Sequence, residues 1–301
     1  MENVCIGVDV GGTNLRFAVV NRDGEVLDRI SEPTCVASGC APFLARLLVI
    51  LDRLKSEVED SGRRLAAVGI GIPGLVSDRG VIGFSVNFAS LQGLNLAEAL
   101  SLAAGVPVLA LNDANACAIG EQRFGAGKGY RSSLMLTIGT GVGAGLILDG
   151  RLWTGIDGAA GEFGHITVEP SGRTCGCGNR GCLEQYASAT AICSGKGSAA
   201  AVALRARRGD AEAAACFEQA GRYLGIAAAA VVNLLNLEAI ILGGGVAESF
   251  DLLAPPMRKE ILARSCAVPG TRVRIVKGAL GDDAGVLGAA ATAFDAVRPC
   301  P

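Results

Sequence analysis

His165 is the only histidine of the 301-residue chain, and Cys175, Cys177 and Cys182 follow it closely. One imidazole and three thiols offer four soft ligands to a tetrahedral zinc ion. Gly176, Gly178 and Gly181 lie among them and supply the tight turns that let closely spaced thiolates converge. A short disulfide is the competing use of these cysteines, and a reducing compartment argues against it. With every ligand drawn from protein, the metal is expected to be structural, holding a loop that carries Glu162 and Glu184 rather than activating water. The other cysteines of the eleven form no spaced framework. They read as reduced, buried or idle thiols of a cytoplasmic protein.

A second group is Asp9-Val10-Gly11-Gly12-Thr13-Asn14, set between the apolar runs Val4–Asp9 and Leu15–Val20. It reads either as an ordinary hairpin or as a backbone cradle for phosphate, with Asp9 as the acid on the magnesium side. It is not a P-loop, since no helix follows. The Gly-Lys-Gly pieces at Lys128 and Lys196 lack the spacing and the hydroxyl residue that a P-loop needs. The strand, glycine turn, strand pattern occurs twice, at Val8–Phe17 and at Leu136–Leu146, the second time around Gly139-Thr140-Gly141. Two related halves facing each other would aim both turns into one cleft. Replacing Gly12 or Gly141 with valine is then expected to weaken a phosphate ligand at these turns while sparing any second ligand of the cleft. A third group is Asn112-Asp113, delivered at the end of the strand Val106–Leu111, where open α/β sheets place ligands. Asp113 reads there as a helix cap, as a reactive carboxylate, or as both.

The elements that must position these groups follow from periodicity. Val4 to Ile30 reads as a three-stranded antiparallel meander. Ala41–Val58 carries a helical apolar face of Phe43, Leu47, Leu48, Leu51, Leu54 and Val58. Strands are expected at Ala66–Ile72, Leu134–Ile138, Ala239–Leu242 and Arg272–Lys277. Helices are expected at Asn95–Ala104, Asp113–Phe124, through most of Ala189–Leu235, and at Glu248–Arg264 and Ala284–Val297. The length suits two domains. Half of the residues are apolar and 19% are charged, which supports a buried core and excludes wholesale disorder. The formal net charge of −2 gives no global field for nucleic acid or an acidic membrane. The uncharged stretch Leu224–Leu237 is broken by Asn233 and Asn236 and falls short of the roughly 18 apolar residues of a membrane span. The opening Met1-Glu2-Asn3 runs directly into a strand, so no signal peptide is expected.

Taken in order, Asp9–Asn14, Gly69–Gly74, Asn112–Glu121, Gly139–Gly145, Gly161–His165, Cys175–Glu184, Gly243–Gly245 and Gly285–Ala290 resemble the motifs of the ROK family (repressors, open reading frames, sugar kinases). The similarity spans nearly the whole chain and is greatest to the glucokinase branch. It implies an α/β, two-domain actin/hexokinase-like (ribonuclease H-like) ATPase fold with an interdomain cleft. The small N-terminal domain would take residues 1–112 and a C-terminal helix at about 284–301. The larger domain, with the zinc loop, would take residues 113–283.

The resemblance also implies roles. Asp113 matches the catalytic base, and Asn112 a sugar-hydroxyl ligand beside it. Glu162, His165 and Glu184 match residues that hold sugar hydroxyls, with His165 also on the zinc. Gly74 lies where backbone touches the sugar. Gly11, Gly12, Thr13 and Asn14, with Gly139, Thr140 and Gly141, match two phosphate turns, and Gly243, Gly244 and Gly245 the adenosine edge. After Pro73-Gly74 the family often shows Pro-Asn-Leu and then a tryptophan; here only Asn87 remains of that pattern, as a sugar contact at the rim. The implied cofactors are ATP with magnesium and one structural zinc, and the implied assembly is a homodimer. The expected reaction is ATP-dependent phosphorylation of glucose to glucose 6-phosphate. Mannose, fructose or an N-acetylhexosamine are alternative acceptors.

Two other classes of function compete with this one. Sugar-responsive regulators of the family are expected to carry an N-terminal DNA-binding domain before the first phosphate motif, which here begins at Asp9, and Asp113 is kept. A zinc module for nucleic acid is disfavoured by the net charge. The basic clusters Arg63-Arg64 and Arg205-Arg207-Arg208 read as solvated helix faces. The expected partners are a small sugar, with no nucleic acid and no membrane. Loosening the zinc loop is expected to weaken the sugar more than the nucleotide.

Overall fold

A computed structural model describes residues 1–34, 39–85, 88–195 and 197–297. In chain order the elements are β1 (Asn3–Val10), β2 (Asn14–Val20), β3 (Val26–Pro33), α1 (Cys40–Asp60), β4 (Arg64–Ile72), β5 (Leu75–Val76), β6 (Ile82–Phe84), α2 (Leu96–Ala104), β7 (Val108–Asn112) and α3 (Asp113–Phe124). There follow β8 (Ser133–Ile138), β9 (Val142–Leu148), β10 (Arg151–Trp153), α4 (Glu184–Ala187), α5 (Ala189–Cys193), α6 (Ala199–Arg207) and α7 (Ala211–Leu235). The chain closes with β11 (Ala239–Gly243), α8 (Phe250–Arg264), α9 (Ala267–Arg272), β12 (Arg274–Lys277) and α10 (Ala284–Ala296). No helix among the described residues is long and apolar enough to cross a membrane.

The chain divides into two compact units. Unit 1 comprises Met1–Lys128, Leu152–Ala160 and Asp282–Pro301, and unit 2 comprises Gly129–Arg151 and Gly161–Gly281. The sheet of unit 1 runs β3-β2-β1-β4-β7. Its first three strands are the antiparallel meander, and β4 and β7 add parallel to β1. The second sheet runs β10-β9-β8-β11-β12, with β8 and β9 antiparallel and β11 and β12 added parallel. The two sheets share one order of strands, so the repeated strand, glycine turn, strand pattern marks a repeated sheet. Each unit has its own apolar core, around β1, β4 and α1 in unit 1 and around β8, β11 and α7 in unit 2.

Helix α1 shows why periodicity works where one face is buried. Phe43, Leu47, Ile50, Leu51, Leu54 and Val58 are buried, a stripe recurring at three- and four-residue steps. Leu48, expected on that face, is only half-buried, and Ile50 takes the place. Two features differ from the sequence reading. The helical stretch after Ala189 is three helices, broken at Ser194, which is left-handed, and again before Asp210, whose carboxylate caps α7. The hairpin β5–β6 and the short α9 were not expected. Helix α8 keeps Pro255 and Pro256 inside it, past the first turn that tolerates proline best.

The second domain, expected to start at Asp113, starts later. Helix α3 lies in unit 1 because it packs backbone to backbone on α10. A Cβ on Gly288 would stand 1.7 Å from the Ala116 carbonyl, and one on Gly120 2.2 Å from the Ala284 carbonyl. On the other side of α10, a Cβ on Gly69 of β4 would stand 1.9 Å from the Ala289 carbonyl oxygen. Both partners there are backbone and cannot swing aside. Gly69→Ala is therefore expected to cost about 3 kcal/mol, the upper range for overpacking a core. A fall in the urea midpoint of unfolding is the measurement. An unchanged midpoint would mean that α10 packs less tightly than described.

Candidate active site and metal site

In unit 1 the site is built at the ends of β1 and β7. Asp9 is the penultimate residue of β1 and faces Arg16 across the β1–β2 hairpin. Its Oδ2 lies 3.3 Å from Arg16 Nη1, and its side chain is 15% exposed. Burial pushes the Asp9 carboxyl above its ordinary value, and the Arg16 charge pulls the other way. Arg16 also reaches Asp282 at 3.3 Å, just ahead of α10. The turn Gly11–Asn14 closes through Gly11 N–H to the Asn14 carbonyl, and the Thr34 hydroxyl donates to the Gly11 carbonyl. Gly12, Thr13 and Asn14 are exposed at its tip.

At the end of β7 the geometry separates two neighbours. Asn112 is the cap of α3, its Oδ1 accepting from Asn115 N–H at 3.0 Å. Its Nδ2 donates to the Gly74 carbonyl at 3.0 Å, which joins Gly74 to the pair. Asp113 is the first helical residue, with Oδ1 accepting from Ala114 N–H. The capping role that the sequence left open for Asp113 thus belongs to Asn112. One turn further on, burial holds the Cys117 thiol well above its usual range, reinforced by the nearby charges of Asp9, Asp113 and Glu121. Asp9, Asp113 and Cys117 are each half-buried in unit 1. Asn87 lies outside the described residues. Ser85 beside it is buried and donates to the Pro73 carbonyl at 2.8 Å.

In unit 2 the four metal candidates come together. The ligand atoms of His165, Cys175, Cys177 and Cys182 all lie within 4.8 Å of one another. Cys177 and Cys182 are 3.6 Å apart at sulfur, and Cys175 Sγ is 3.7 Å from His165 Nδ1. Tetrahedral zinc with Zn–S bonds of about 2.3 Å sets ligand edges of about 3.8 Å, so donor set and spacing both fit zinc. Local hydrogen bonds shape the loop: Cys175 N–H to the Asn179 carbonyl, Gly178 N–H to Cys175, and Val168 N–H to Gly181. Gly181 has φ +70°, and a Cβ there would strike the Glu169 carbonyl, so no other residue fits without rebuilding the loop. Burial pushes the Cys182 thiol up to about 12, which makes a bare thiolate costly there.

With Nδ1 of His165 turned to sulfur, Nε2 lies 3.7 Å from Glu162 Oε2. A second partner on the far ring nitrogen fixes a metal-ligating imidazole. Glu184 opens α4, and its Oε2 accepts from Val142 N–H at 3.0 Å. The turn Gly139–Gly141 is thereby joined to the zinc loop's far end. Gly244 packs on Ile138, so the Gly243–Gly245 turn adjoins the Gly139–Gly141 turn in the same unit.

This placement changes one expectation. A Cβ on Gly141 would stand 2.4 Å from Glu184 Oε2, whereas nothing of the protein lies within 4 Å of a Cβ on Gly12 or Gly139. Gly141→Val is expected to displace Glu184 and to weaken sugar and nucleotide together. Gly12→Val is expected to weaken the nucleotide alone. Calorimetric titration of each variant with each ligand separately decides it. Glucose binding unaffected in Gly141→Val would show that Glu184 does not hold sugar.

The sequence reading missed Arg16, whose place opposite Asp9 needs the hairpin register, and Thr190, whose hydroxyl donates to the Thr140 carbonyl. Only the length of the β1–β2 turn signalled the first. Nothing local signalled the second.

The ROK family model matches residues 5–296, and the chain belongs to the ROK family. It is 35% identical to the glucokinase of Thermotoga maritima, over 95% of each chain. A Streptomyces griseus ROK glucokinase solved with glucose and AMPPNP superposes with a TM-score of 0.79 at 33% identity, covering 97% of this chain and 99% of that one. An N-acetylmannosamine kinase of Citrobacter koseri is 33% identical over 95% of this chain and 97% of its own length. A xylose repressor of Bacillus subtilis is 29% identical over 96% of this chain but only 77% of its own length. The fold is accordingly the α/β, actin/hexokinase-like fold of the ROK sugar kinases.

Proposed function

We propose that this chain is a sugar kinase that transfers the terminal phosphoryl group of ATP to the 6-hydroxyl of glucose. The observation that carries the reading is the division of labour at the end of β7. Asn112 caps the helix, so the helix start does not depend on the Asp113 side chain for its cap, and Asp113 is the carboxylate that stands at the strand end. In the proposed reaction Asp113 accepts the hydroxyl proton as the sugar oxygen bonds to the γ-phosphorus and the bond to ADP breaks. Asn112, Gly74, Glu162, His165 and Glu184 are the proposed sugar ligands. Several fixed acceptors discriminate between polyols, because a misplaced hydroxyl leaves a buried group unpaired. The turns Gly11–Asn14 and Gly139–Gly141 would present backbone N–H groups to phosphate oxygens, with Gly243–Gly245 along the adenosine.

Magnesium, when bound with ATP, neutralises charge developing on the phosphates, and Asp9 is the carboxylate that would hold it. A single protein carboxylate suits an ion that keeps waters and phosphate oxygens as its other ligands. Zinc, on His165, Cys175, Cys177 and Cys182, would be structural. Three thiolates in one site belong to a reducing compartment, which supports the cytoplasmic reading. A homodimer completes the proposal, and light scattering reads it directly.

The N-acetylmannosamine kinase relative favours an N-acetylhexosamine as the second reading. A coupled ADP-release assay over glucose, mannose, fructose and N-acetylhexosamines separates the two. Highest kcat/KM on glucose is expected. A preference for an N-acetylated sugar moves the assignment to the second reading, and no ADP release with any of them rejects the kinase.

A further inference from the structure

The second phosphate turn is held from one short stretch of chain. Ala189 N–H donates to the Gly139 carbonyl at 2.7 Å, and Thr190 Oγ1 donates to the Thr140 carbonyl at 3.2 Å. Glu184 Oε2 accepts from Val142 N–H at 3.0 Å. All three partners fall within residues 184–190, directly after the metal candidate Cys182. A cavity of about 280 Å³ opens beside the turn, lined by Thr140, Arg173, Glu184, Ser188, Thr190 and Ser194 among others.

Peptide planarity gives these bonds a direction. In a trans peptide the C=O of one residue and the N–H of the next point to opposite sides. Tying the Gly139 carbonyl to Ala189 turns the Thr140 N–H away from α5. Tying the Thr140 carbonyl to Thr190 does the same for the Gly141 N–H. Those two N–H groups are the donors that a phosphate at this turn requires.

We propose that Thr190 is a positioning residue for the nucleotide, and that Glu184 braces the same turn through Oε2 while its other oxygen serves the sugar. The inference rests on the kinase reading above. It goes beyond that reading in tying nucleotide affinity to the segment that follows the zinc loop.

The test is calorimetric binding of magnesium–ADP without sugar, paired with steady-state kinetics. Thr190→Val removes the hydroxyl at nearly constant volume. It is expected to raise the ADP Kd and the ATP KM by about 3- to 10-fold, the scale of one lost hydrogen bond, with kcat and glucose binding nearly unchanged. Thr190→Ser should restore nucleotide affinity. Glu184→Gln keeps an acceptor for Val142 N–H, so it should weaken glucose and spare ADP, whereas Glu184→Ala should weaken both. Wild-type ADP affinity in Thr190→Val overturns the inference. So does equal loss of both ligands in Thr190→Val and Thr190→Ser. A wild type that binds ADP but phosphorylates no hexose rejects the kinase reading and leaves the braces standing on the binding data.

Discussion

Asp113→Asn is expected to lower kcat by roughly 10²- to 10⁴-fold, the range for loss of a general base, while glucose still binds. The geometry makes this substitution informative, because it separates chemistry from folding. The α3 cap is Asn112, and an asparagine at position 113 keeps an oxygen to accept from Ala114 N–H. Neither the helix start nor the Asn112–Gly74 bond depends on the lost charge. The thermal midpoint should therefore stay near that of the wild type. Asn112→Ala is the contrasting variant. It removes the cap, worth about 1 kcal/mol, and strands the Gly74 carbonyl, so both stability and sugar affinity should fall. Stopped turnover in Asp113→Asn with glucose titration intact would support the base. Near-normal turnover would take Asp113 out of the chemistry.

The contrast between these neighbours shows what a linear reading resolves. Asn and Asp are both good caps, and composition cannot say which of two adjacent residues ends the strand. One peptide of register decides it, and that register is set by the pairing of β7 with β4. Residues whose partners lie nearby in sequence were readable for the opposite reason. His165 and the three cysteines lie within one stretch, and their convergence needs only local turns. The repeated sheet was visible because each hairpin is local. The place of α3 was not, since the glycine-mediated contact with α10 joins segments some 170 residues apart. Thr190 was hidden in the same way, as a hydroxyl on an alanine-rich helix whose partner is a distant carbonyl.

Purified protein is expected to carry about one zinc per chain, as four convergent ligands of this type allow, and Cys177→Ser is expected to lose it. A serine hydroxyl is a poor substitute for a thiolate on zinc. Of the three cysteines Cys177 is the exposed one, with Cys175 and Cys182 buried, so the substitution disturbs packing least. The fold should survive, because unit 2 has an extensive apolar core of its own, unlike a small zinc finger that folds only with metal. Function should not survive intact. Without metal, His165 loses its anchor and its hold on Glu162 loosens. Cys182 is freed just ahead of Glu184, so the carboxylate facing Gly141 shifts. The loop alone predicted a sugar defect. The bonds that Glu184 and Thr190 make at the Gly139–Gly141 turn, the proposed phosphate cradle, add an expected nucleotide defect, so both the glucose KM and the ATP KM should rise. Elemental analysis, circular dichroism and the two KM values on one preparation separate these claims. Metal-free protein with both KM values unaltered would leave the zinc without a part in positioning either ligand. A rise in the glucose KM alone would confine its influence to the sugar side and would place the stiffness of the Gly139–Gly141 turn in the β8–β9 hairpin itself.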